Sequence, residues 1–411
     1  MKIFNRKLKI TSSALLTLCM VFVMTACAEN SSQSEKSQPA EQTTVQPTTM
    51  SAEEINDRKL DKFISDMTFE EKVGQMFFVR CHDEDAVKQV SEYNIGGYIL
   101  FGRDFDGKTK DEVVDDIHSY QNEADIPLLI GVDEEGGTVV RVSSNPNLRE
   151  TPFLSPKDTY ADGGWDAVKH DAEEKADLLL SLGINVNLAP VCDMTSDEYG
   201  FMYDRSFSSD VDMENRYVRT VVETSKSKKL GTVLKHFPGY GNNSDTHTGI
   251  AYDDRDYSEF ENTDFKPFYQ GIESGADCIL VSHNIVNCMD SEYPASLSQK
   301  VHDILRNEFK FDGVIMTDDL IMNAITDFTG DEAAAVTAAK CGNDLLCCSS
   351  VDTQYPAVLE AVQNGEIPEA QVDASVKRIL KWKQNLGIFN IDTYQKKVKS
   401  TEPTDTVGSE E

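Results

Sequence analysis

The sequence predicts a single (β/α)₈ barrel of the TIM type, and two observations support this prediction. Eight short apolar runs recur between segments with helical patterning. Residues 52–390 remain for them between two polar ends, a length that suits one α/β barrel domain. An open, doubly wound sheet is the alternative architecture.

The eight predicted strands are runs rich in Val, Ile, Leu and Phe. They cover residues 74–80, 96–101, 127–132, 184–189, 232–235, 276–282, 312–317 and 343–348. The runs are continuous rather than alternating, which is typical of parallel strands that are buried on both faces. Eight such strands with helices between them favour the closed barrel over the open sheet.

Helix signals lie at the places that this architecture requires. Thr68 and Glu71 have the spacing of a capping box ahead of the first strand. Ser298 precedes an apolar pattern with helical period, and a later helical pattern stops near Gly387. These signals predict helices before the first strand, between the sixth and seventh strands, and at the end of the domain.

The two ends of the chain are predicted to lie outside the barrel. Residues 1–26 combine a basic start, a short apolar run and small residues before Cys27, as in a bacterial lipoprotein signal peptide. We therefore expect a lipid on Cys27 that anchors the protein to the outer face of the cell membrane; an ordinary cleaved signal is the alternative. Residues 27–51 are predicted to be a disordered tether and residues 391–411 a disordered acidic tail, because both lack apolar periodicity.

Charge and cysteine content exclude several classes of function. The formal net charge of −32 argues against nucleic acid as a partner. The nine cysteines are scattered, and several lie in apolar runs, which predicts buried thiols rather than an essential disulfide. The sequence contains no Cys or His spacing typical of a metal site, so we expect no metal and no cofactor. We also expect the protein to be a monomer.

Polar residues follow five consecutive predicted strands. They are Asp133, Glu134 and Glu135 after the third strand, Asp193 after the fourth, Lys235 and His236 after the fifth, His283 after the sixth, and Asp318 and Asp319 after the seventh. In a barrel, these strand ends converge on one mouth. Carboxylates that face each other across a mouth with hydroxyl-binding donors fit the cleavage of glycosidic bonds.

The long loop after Lys235 contains a second candidate group. It places Asp245 two residues before His247, and Gly239, Gly241 and Gly249 flank the pair. A histidine can donate a proton near neutral pH, and a neighbouring carboxylate can fix its tautomer. The loop therefore supplies a candidate general acid.

In these motifs the chain resembles the β-N-acetylglucosaminidase (β-hexosaminidase) branch of glycoside hydrolase family 3. The most specific matches are Lys-His-Phe-Pro-Gly at 235–239, the following Asp-Thr-His and the Thr-Asp-Asp at 317–319. Further matching segments are 67–76, 97–101, 133–137, 188–193, 204–207, 294–298 and 342–345.

The resemblance implies roles for individual residues. Asp318 is similar to the family's nucleophile, and His247, paired with Asp245, to its general acid/base. The residues that match sugar-binding positions are Asp133, Arg141, Arg205, Lys235 and His236, and His283 falls in a segment that lines the same pocket.

The implied activity is hydrolysis, with retention of configuration, of terminal β-linked N-acetylhexosamine from cell-wall fragments or other glycans. Two alternatives stay open. A histidine acid repels phosphate less than a carboxylate would, so the enzyme could be a phosphorylase. A lipoprotein that binds glycans without cleaving them is the non-enzymatic alternative.

Overall fold

The computed structural model of the protein describes residues 50–81, 85–243, 246, 249–329 and 331–396. Eight parallel strands form its centre, and they are numbered here in chain order. They are β1 (Phe77–Arg80), β2 (Gly97–Leu100), β3 (Leu129–Val132), β4 (Val186–Asn187), β5 (Gly231–Phe237), β6 (Cys278–Val281), β7 (Val314–Thr317) and β8 (Leu346–Cys348).

The strands form one ring in sequence order. Each strand from β1 to β7 pairs in parallel with its predecessor or successor, and β8 returns to pair with β1 through Phe77 and Leu346. A parallel bridge between Met316 and Leu345 joins β7 to the start of β8. The predicted (β/α)₈ barrel is therefore confirmed, and the open doubly wound sheet is excluded.

Helices surround the strands and fill every crossover. They are α1 (Ala52–Ser65), α2 (Phe69–Gln75), α3 (Ala86–Tyr93), α4 (Lys110–Glu123), α5 (Pro156–Ser181), α6 (Val211–Lys228), α7 (Tyr257–Asn262), α8 (Phe265–Glu273), α9 (Gln299–Asp303), α10 (Asn323–Thr329), α11 (Asp331–Lys340), α12 (Val351–Gln363) and α13 (Glu369–Asn385). A π-helical turn, Ile304–Glu308, extends α9. A short parallel pair, Tyr252–Asp253 with Ile285–Val286, connects the loops after β5 and β6.

The helix signals in the sequence correspond to real caps. The Thr68 hydroxyl accepts a hydrogen bond from the amide of Glu71, whose carboxylate accepts one from the amide of Thr68. Ser298 caps α9 by accepting from the amide of Val301. Gly387, just after α13, has φ +76°, a left-handed conformation that glycine adopts without steric cost.

The barrel interior is a packed core. The Phe78 ring occupies the space beside Gly97 and Gly131, and a Cβ atom on Gly131 would lie 2.5 Å from Phe78 Cζ. Glycine at these two positions therefore allows one large ring from β1 to reach towards β3. Because the core fills the barrel, ligand access is left to the loops at its carboxyl end.

The strand predictions are accurate to within a few residues at each end. The largest differences, of three residues, are at the starts of the first and eighth runs, and in the first run residues 74 and 75 belong to α2 because the capping box starts that helix at Phe69. The seven cysteines within the described ranges are free thiols, and all but Cys288 are buried.

The predicted terminal segments lie largely outside the described residues. Cys27, the signal peptide and residues 397–411 are not among them. Tyr394, beyond the predicted domain end at residue 390, packs against Phe63 of α1 with ring centroids 5.0 Å apart. The domain boundaries stay a prediction. Among the described residues, none of the helices combines the length and the apolar character that crossing a bilayer requires.

Candidate active site

A cavity of about 400 Å³ opens at the carboxyl ends of the strands. Its polar lining comes from the ends of five strands and the loops that follow them. The charged residues and histidine that line it are Arg80, Asp133, Glu135, Arg141, Arg205, Lys235, His236, Asp318 and Asp319. The volume lies in the range of small-molecule pockets.

Lys235 of β5 lies between two carboxylates that follow β3. Its Nζ is 2.6 Å from Asp133 Oδ1 and 2.7 Å from Glu135 Oε1. Lys235 and Glu135 are almost completely buried, whereas the Asp133 side chain is 15% exposed towards the cavity. Asp133 is therefore the member of this cluster that a ligand can reach.

Arg205, in the loop after β4, supplies the second cation. Its Nε and Nη2 donate to the two oxygens of Glu135 at 2.9 and 2.8 Å, a bidentate ion pair. Burial alone would raise the pKa of Glu135, but the charges of Lys235 and Arg205 hold the pKa of that carboxyl well below its usual range. Burial would also lower the pKa of Lys235, and Asp133 and Glu135 more than offset this and raise it. Glu135 and Lys235 thus keep their charges at physiological pH.

His236 connects Arg205 to a third carboxylate. Arg205 Nη2 is 3.2 Å from His236 Nε2, and His236 Nδ1 is 2.6 Å from Asp193 Oδ2. Because a guanidinium can only donate, Nε2 is the acceptor and Nδ1–H points to Asp193. Asp193 is 1% exposed and also accepts from the amide of His236, so it fixes the ring.

The position of Arg141 is set by the local fold of the loop after β3. The fully buried carboxylate of Glu134 accepts from the amides of Arg141 and Val142 at 2.9 and 2.7 Å. This contact folds the loop back towards the barrel, and the Arg141 guanidinium lies 5.7 Å from the centre of the Phe101 ring. Arg80, at the end of β1, lies 4.5 Å from the same ring.

Arg80 and Arg141 also have unused hydrogen-bonding capacity. The Nε atom of each is buried and has no hydrogen-bond partner within the described part of the chain. A buried donor without a partner is destabilising. Both arginines line the cavity, so a polar ligand there meets two guanidinium groups.

Two carboxylates follow β7, and they differ in their contacts. Asp318 Oδ1 accepts from the amide of Asp319 at 2.8 Å. The Asp319 side chain accepts from Ser349 Oγ at 2.5 Å and from the amide of Ile321 at 3.2 Å. Asp319 is therefore tied to the loop that it belongs to and to the end of β8, and both carboxylates line the cavity.

His283 lies outside the residues that line the cavity. Its ring is completely buried, with Nδ1 2.7 Å from Ser296 Oγ and Nε2 3.1 Å from the carbonyl oxygen of Asp319. In this position it supports the backbone next to Asp318 from behind. A direct contact with a sugar stays a prediction.

The predicted acid/base pair, Asp245 and His247, falls outside the described residues. Thr246, between them in sequence, is described, and its hydroxyl is 2.6 Å from the hydroxyl of Tyr240. Within the described ranges, no group of three or more His, Cys, Asp or Glu side chains is arranged to hold a metal ion.

The structure brings together Asp133, Arg141, Arg205, Lys235, His236 and Asp318, all of which the sequence had singled out. It adds Arg80, and it gives central roles to Glu135 and Asp193, which were recognised only as residues at strand ends. The sequence could have indicated Arg80 as a site residue, because it is the charged last residue of an apolar run and therefore lies at a strand end.

Comparisons with known proteins place the chain in a family. The sequence model of the glycosyl hydrolase family 3 N-terminal domain matches residues 68–382. A β-hexosaminidase of Nitrosomonas eutropha is 32% identical over 273 residues, covering 64% of this chain and 77% of that protein. The β-hexosaminidase LpqI of Mycobacterium tuberculosis is 31% identical over 327 residues, covering 75% of this chain and 81% of LpqI.

Solved structures show the same barrel. A family 3 β-N-acetylglucosaminidase from a Paenibacillus species superposes with a TM-score of 0.74 at 29% identity, covering 84% of this chain and 66% of that one. The structure of M. tuberculosis LpqI gives a TM-score of 0.71 at 27% identity, covering 79% and 96%. With the family match extending across the barrel and its site, the chain belongs to glycoside hydrolase family 3 and is a glycoside hydrolase.

Proposed function

We propose that this protein is a retaining exo-β-N-acetylglucosaminidase that removes terminal β-linked N-acetylhexosamine from cell-wall fragments or other glycans. The observation that carries the proposal is the cavity in which Asp318 shares one lining with Asp133, Lys235 and Arg205. The names β-hexosaminidase and β-N-acetylglucosaminidase of the similar proteins support the choice of sugar.

In the proposed reaction, the Asp318 carboxylate attacks the anomeric carbon and forms a glycosyl ester. The bond to the leaving oxygen breaks as His247 transfers its proton to that oxygen. His247 then removes a proton from water, and the water oxygen displaces Asp318 from the anomeric carbon. Two inversions give net retention, and Asp245 orients the histidine ring.

The charged cluster suits the recognition of a single sugar ring. Asp133 offers a carboxylate acceptor to a hydroxyl group, and the guanidinium groups of Arg80 and Arg141, which line the same cavity, offer donors. A cavity of about 400 Å³ lies in the size range of pockets that hold a small molecule and is large enough for a sugar residue.

The first test is release of 4-nitrophenol from the β-N-acetylglucosaminide, compared with the β-glucoside. We expect selective hydrolysis of the former, and a loss of about 10²- to 10⁴-fold for His247→Ala. Asp318→Asn should keep substrate binding and lose turnover. If Asp319→Asn abolishes turnover while Asp318→Asn does not, the nucleophile is wrongly assigned.

The identity of the product tests the reaction class. Free N-acetylglucosamine, at a rate independent of added phosphate, supports hydrolysis. A sugar 1-phosphate would show a phosphorylase, and the absence of turnover on oligosaccharides as well as aryl glycosides would favour a binding protein.

We also propose that the enzyme is a monomer held at the outer face of the cell membrane by a lipid on Cys27. The support is the sequence of residues 1–27 alone. Cys27→Ala should move the enzyme from the membrane fraction to a soluble fraction, and retention in the membrane would contradict the anchor. Light scattering on the domain from residue 52 onwards tests the monomer.

A further inference from the structure

Tyr240 is a rigid side chain beside the active site. It lies three residues after β5 and is 2% exposed. Its ring packs edge-on against Phe201 and His236, with centroids 5.0 and 5.3 Å apart. Its amide donates to Asp193 Oδ1 at 2.7 Å. Both the backbone and the ring of Tyr240 are therefore fixed to the substrate-binding cluster.

The hydroxyl of Tyr240 reaches the loop that contains the predicted acid/base. It shares a hydrogen bond of 2.6 Å with the hydroxyl of Thr246, which is completely buried. Thr246 is the residue between Asp245 and His247 in sequence. The contact thus fixes the backbone one residue away from each member of the pair.

The Tyr240 hydroxyl is also suited to a permanent contact. Burial, followed by the nearby negative charge of Asp318, raises the pKa of Tyr240 far above its usual range. The phenol therefore keeps its proton throughout the pH range in which the enzyme can work, and the hydrogen bond does not titrate away.

We propose that Tyr240 and Thr246 are positioning residues for proton transfer, which hold the loop so that His247 reaches the leaving-group oxygen. The inference rests on the proposed function, because it takes His247 as the general acid. Proton transfer needs a heavy-atom separation of about 3 Å, and a misplacement of about 1 Å can cost about 100-fold in rate. One hydroxyl pair next to the acid therefore influences catalysis without touching the sugar.

The test exploits leaving-group chemistry. A poor leaving group needs the proton from the acid, whereas 2,4-dinitrophenolate departs without it. We expect Tyr240→Phe and Thr246→Val each to lower kcat/KM for 4-methylumbelliferyl β-N-acetylglucosaminide about fivefold to tenfold, as for the loss of one hydrogen bond that orients the acid. The 2,4-dinitrophenyl glycoside should change by less than about twofold.

A double variant and a control complete the design. Tyr240→Phe combined with Thr246→Val should be no worse than either single change, because both remove the same contact. Tyr98→Phe is the matched control, since its buried hydroxyl donates to the carbonyl of Ala86 at 2.6 Å, outside the residues that line the cavity. It should leave the ratio of the two rates at the wild-type value.

Each outcome tests either the positioning role of Tyr240 and Thr246 or the assignment of His247 as the general acid. Equal losses on both substrates, or no loss, overturn the positioning role. If His247→Ala itself loses no more on the poor leaving group, the proposed acid is wrong, and the Tyr240→Phe ratio still reports whether the loop positions another proton donor. Hydrogen exchange of residues 240–255 gives a readout that does not require activity. Faster exchange in Tyr240→Phe is expected, and unchanged exchange would show that the hydrogen bond between Tyr240 and Thr246 does not hold the loop.

Discussion

Lys235 is surrounded by the densest charge in the active site. It lies 2.6 and 2.7 Å from two carboxylates and is almost completely buried. Taking such charges out of water is costly, and their mutual attraction offsets the cost only while every partner is present. The cluster therefore links the proposed sugar binding and folding in the same residues.

We expect Lys235→Met to lower the free energy of unfolding by about 3–5 kcal/mol, because Glu135 and Asp133 lose a partner in a buried environment. Urea denaturation measures this loss. Lys228→Met is the matched control, since Lys228 also pairs with an aspartate at 2.8 Å but on the surface. A loss for Lys235→Met no larger than for Lys228→Met would show that the buried network does not stabilise the fold.

At the scale of elements, the loop between β5 and α7 is closed at its base by one arginine. Arg255 Nη1 donates to both oxygens of Asp264 at 3.0 and 2.9 Å, and its Nη2 donates to Asp253 Oδ2 at 2.8 Å. The same Nη2 donates to the carbonyl of Gly239 at 3.1 Å. Arg255 thus joins the start of the loop to its end and to the N-terminus of α8.

Arg255→Met should lower the free energy of unfolding by about 3 kcal/mol, because two nearly buried carboxylates lose their counterion. It should also speed hydrogen exchange at residues 239–243. Arg149→Met, which removes a pair with the half-exposed Glu174, is the control and should cost less. If the two variants unfold at the same urea concentration, Arg255 does not hold the loop base.

At the scale of the whole molecule, α2, just before the first strand, and α13, the last helix of the barrel, are joined to each other. Lys72 of α2 pairs with Glu369 and Asp373 of α13 at 2.8 and 2.7 Å. Lys383 of α13 is completely buried, and its Nζ donates to Gln75 Oε1 of α2 at 2.7 Å. Burial lowers the pKa of Lys383 to about 7.

This lysine gives the stability of the barrel a pH dependence with a definite sign. The unfolded chain keeps the lysine protonated up to a pH of about 10.4. Between about pH 7 and 10.4 the unfolded state therefore binds more protons than the folded state, and stability rises with pH. Stability therefore falls as the pH drops from about 10.4 towards 7, because the buried lysine is held unprotonated in the folded state while the unfolded chain binds the proton.

Lys383→Met should remove this slope, which reaches about 1.4 kcal/mol per pH unit at most, and should stabilise the protein near pH 7. Thermal melts between pH 7 and 9.5 measure the difference from wild type. Lys381→Met, at a partly exposed position on the same helix, should keep the wild-type slope. Parallel curves for wild type and Lys383→Met would contradict the expectation.

Much of the molecule could be read from local patterns. Continuous apolar runs identified all eight strands, because strands buried on both faces have no polar side to interrupt them. The residues that follow those runs identified most of the cavity lining, since parallel strands in a barrel present their carboxyl ends at one mouth. Asp133 and Lys235, 102 positions apart, were placed in one site for this reason, and the family resemblance pointed the same way.

Other features were beyond the reach of local patterns. The sequence could not tell that His283 lies behind the cavity wall while Asp318 lines it, since both simply follow a strand. It also could not assign Glu135 to two cations, or pair the hydroxyls of Tyr240 and Thr246. Such contacts depend on the conformation of a loop, and that conformation is set by contacts with residues far away in the sequence.

The sequence by itself therefore determined the barrel, the order of its strands, the face that bears the chemistry and the residues that can carry it. These follow from backbone preferences and burial, which a run of a few residues already expresses. Only the tertiary structure decided which charges pair, which side chains face the ligand and which ones hold the catalytic loop. Those outcomes depend on distances between segments far apart in the chain, and only the closed and packed barrel fixes them.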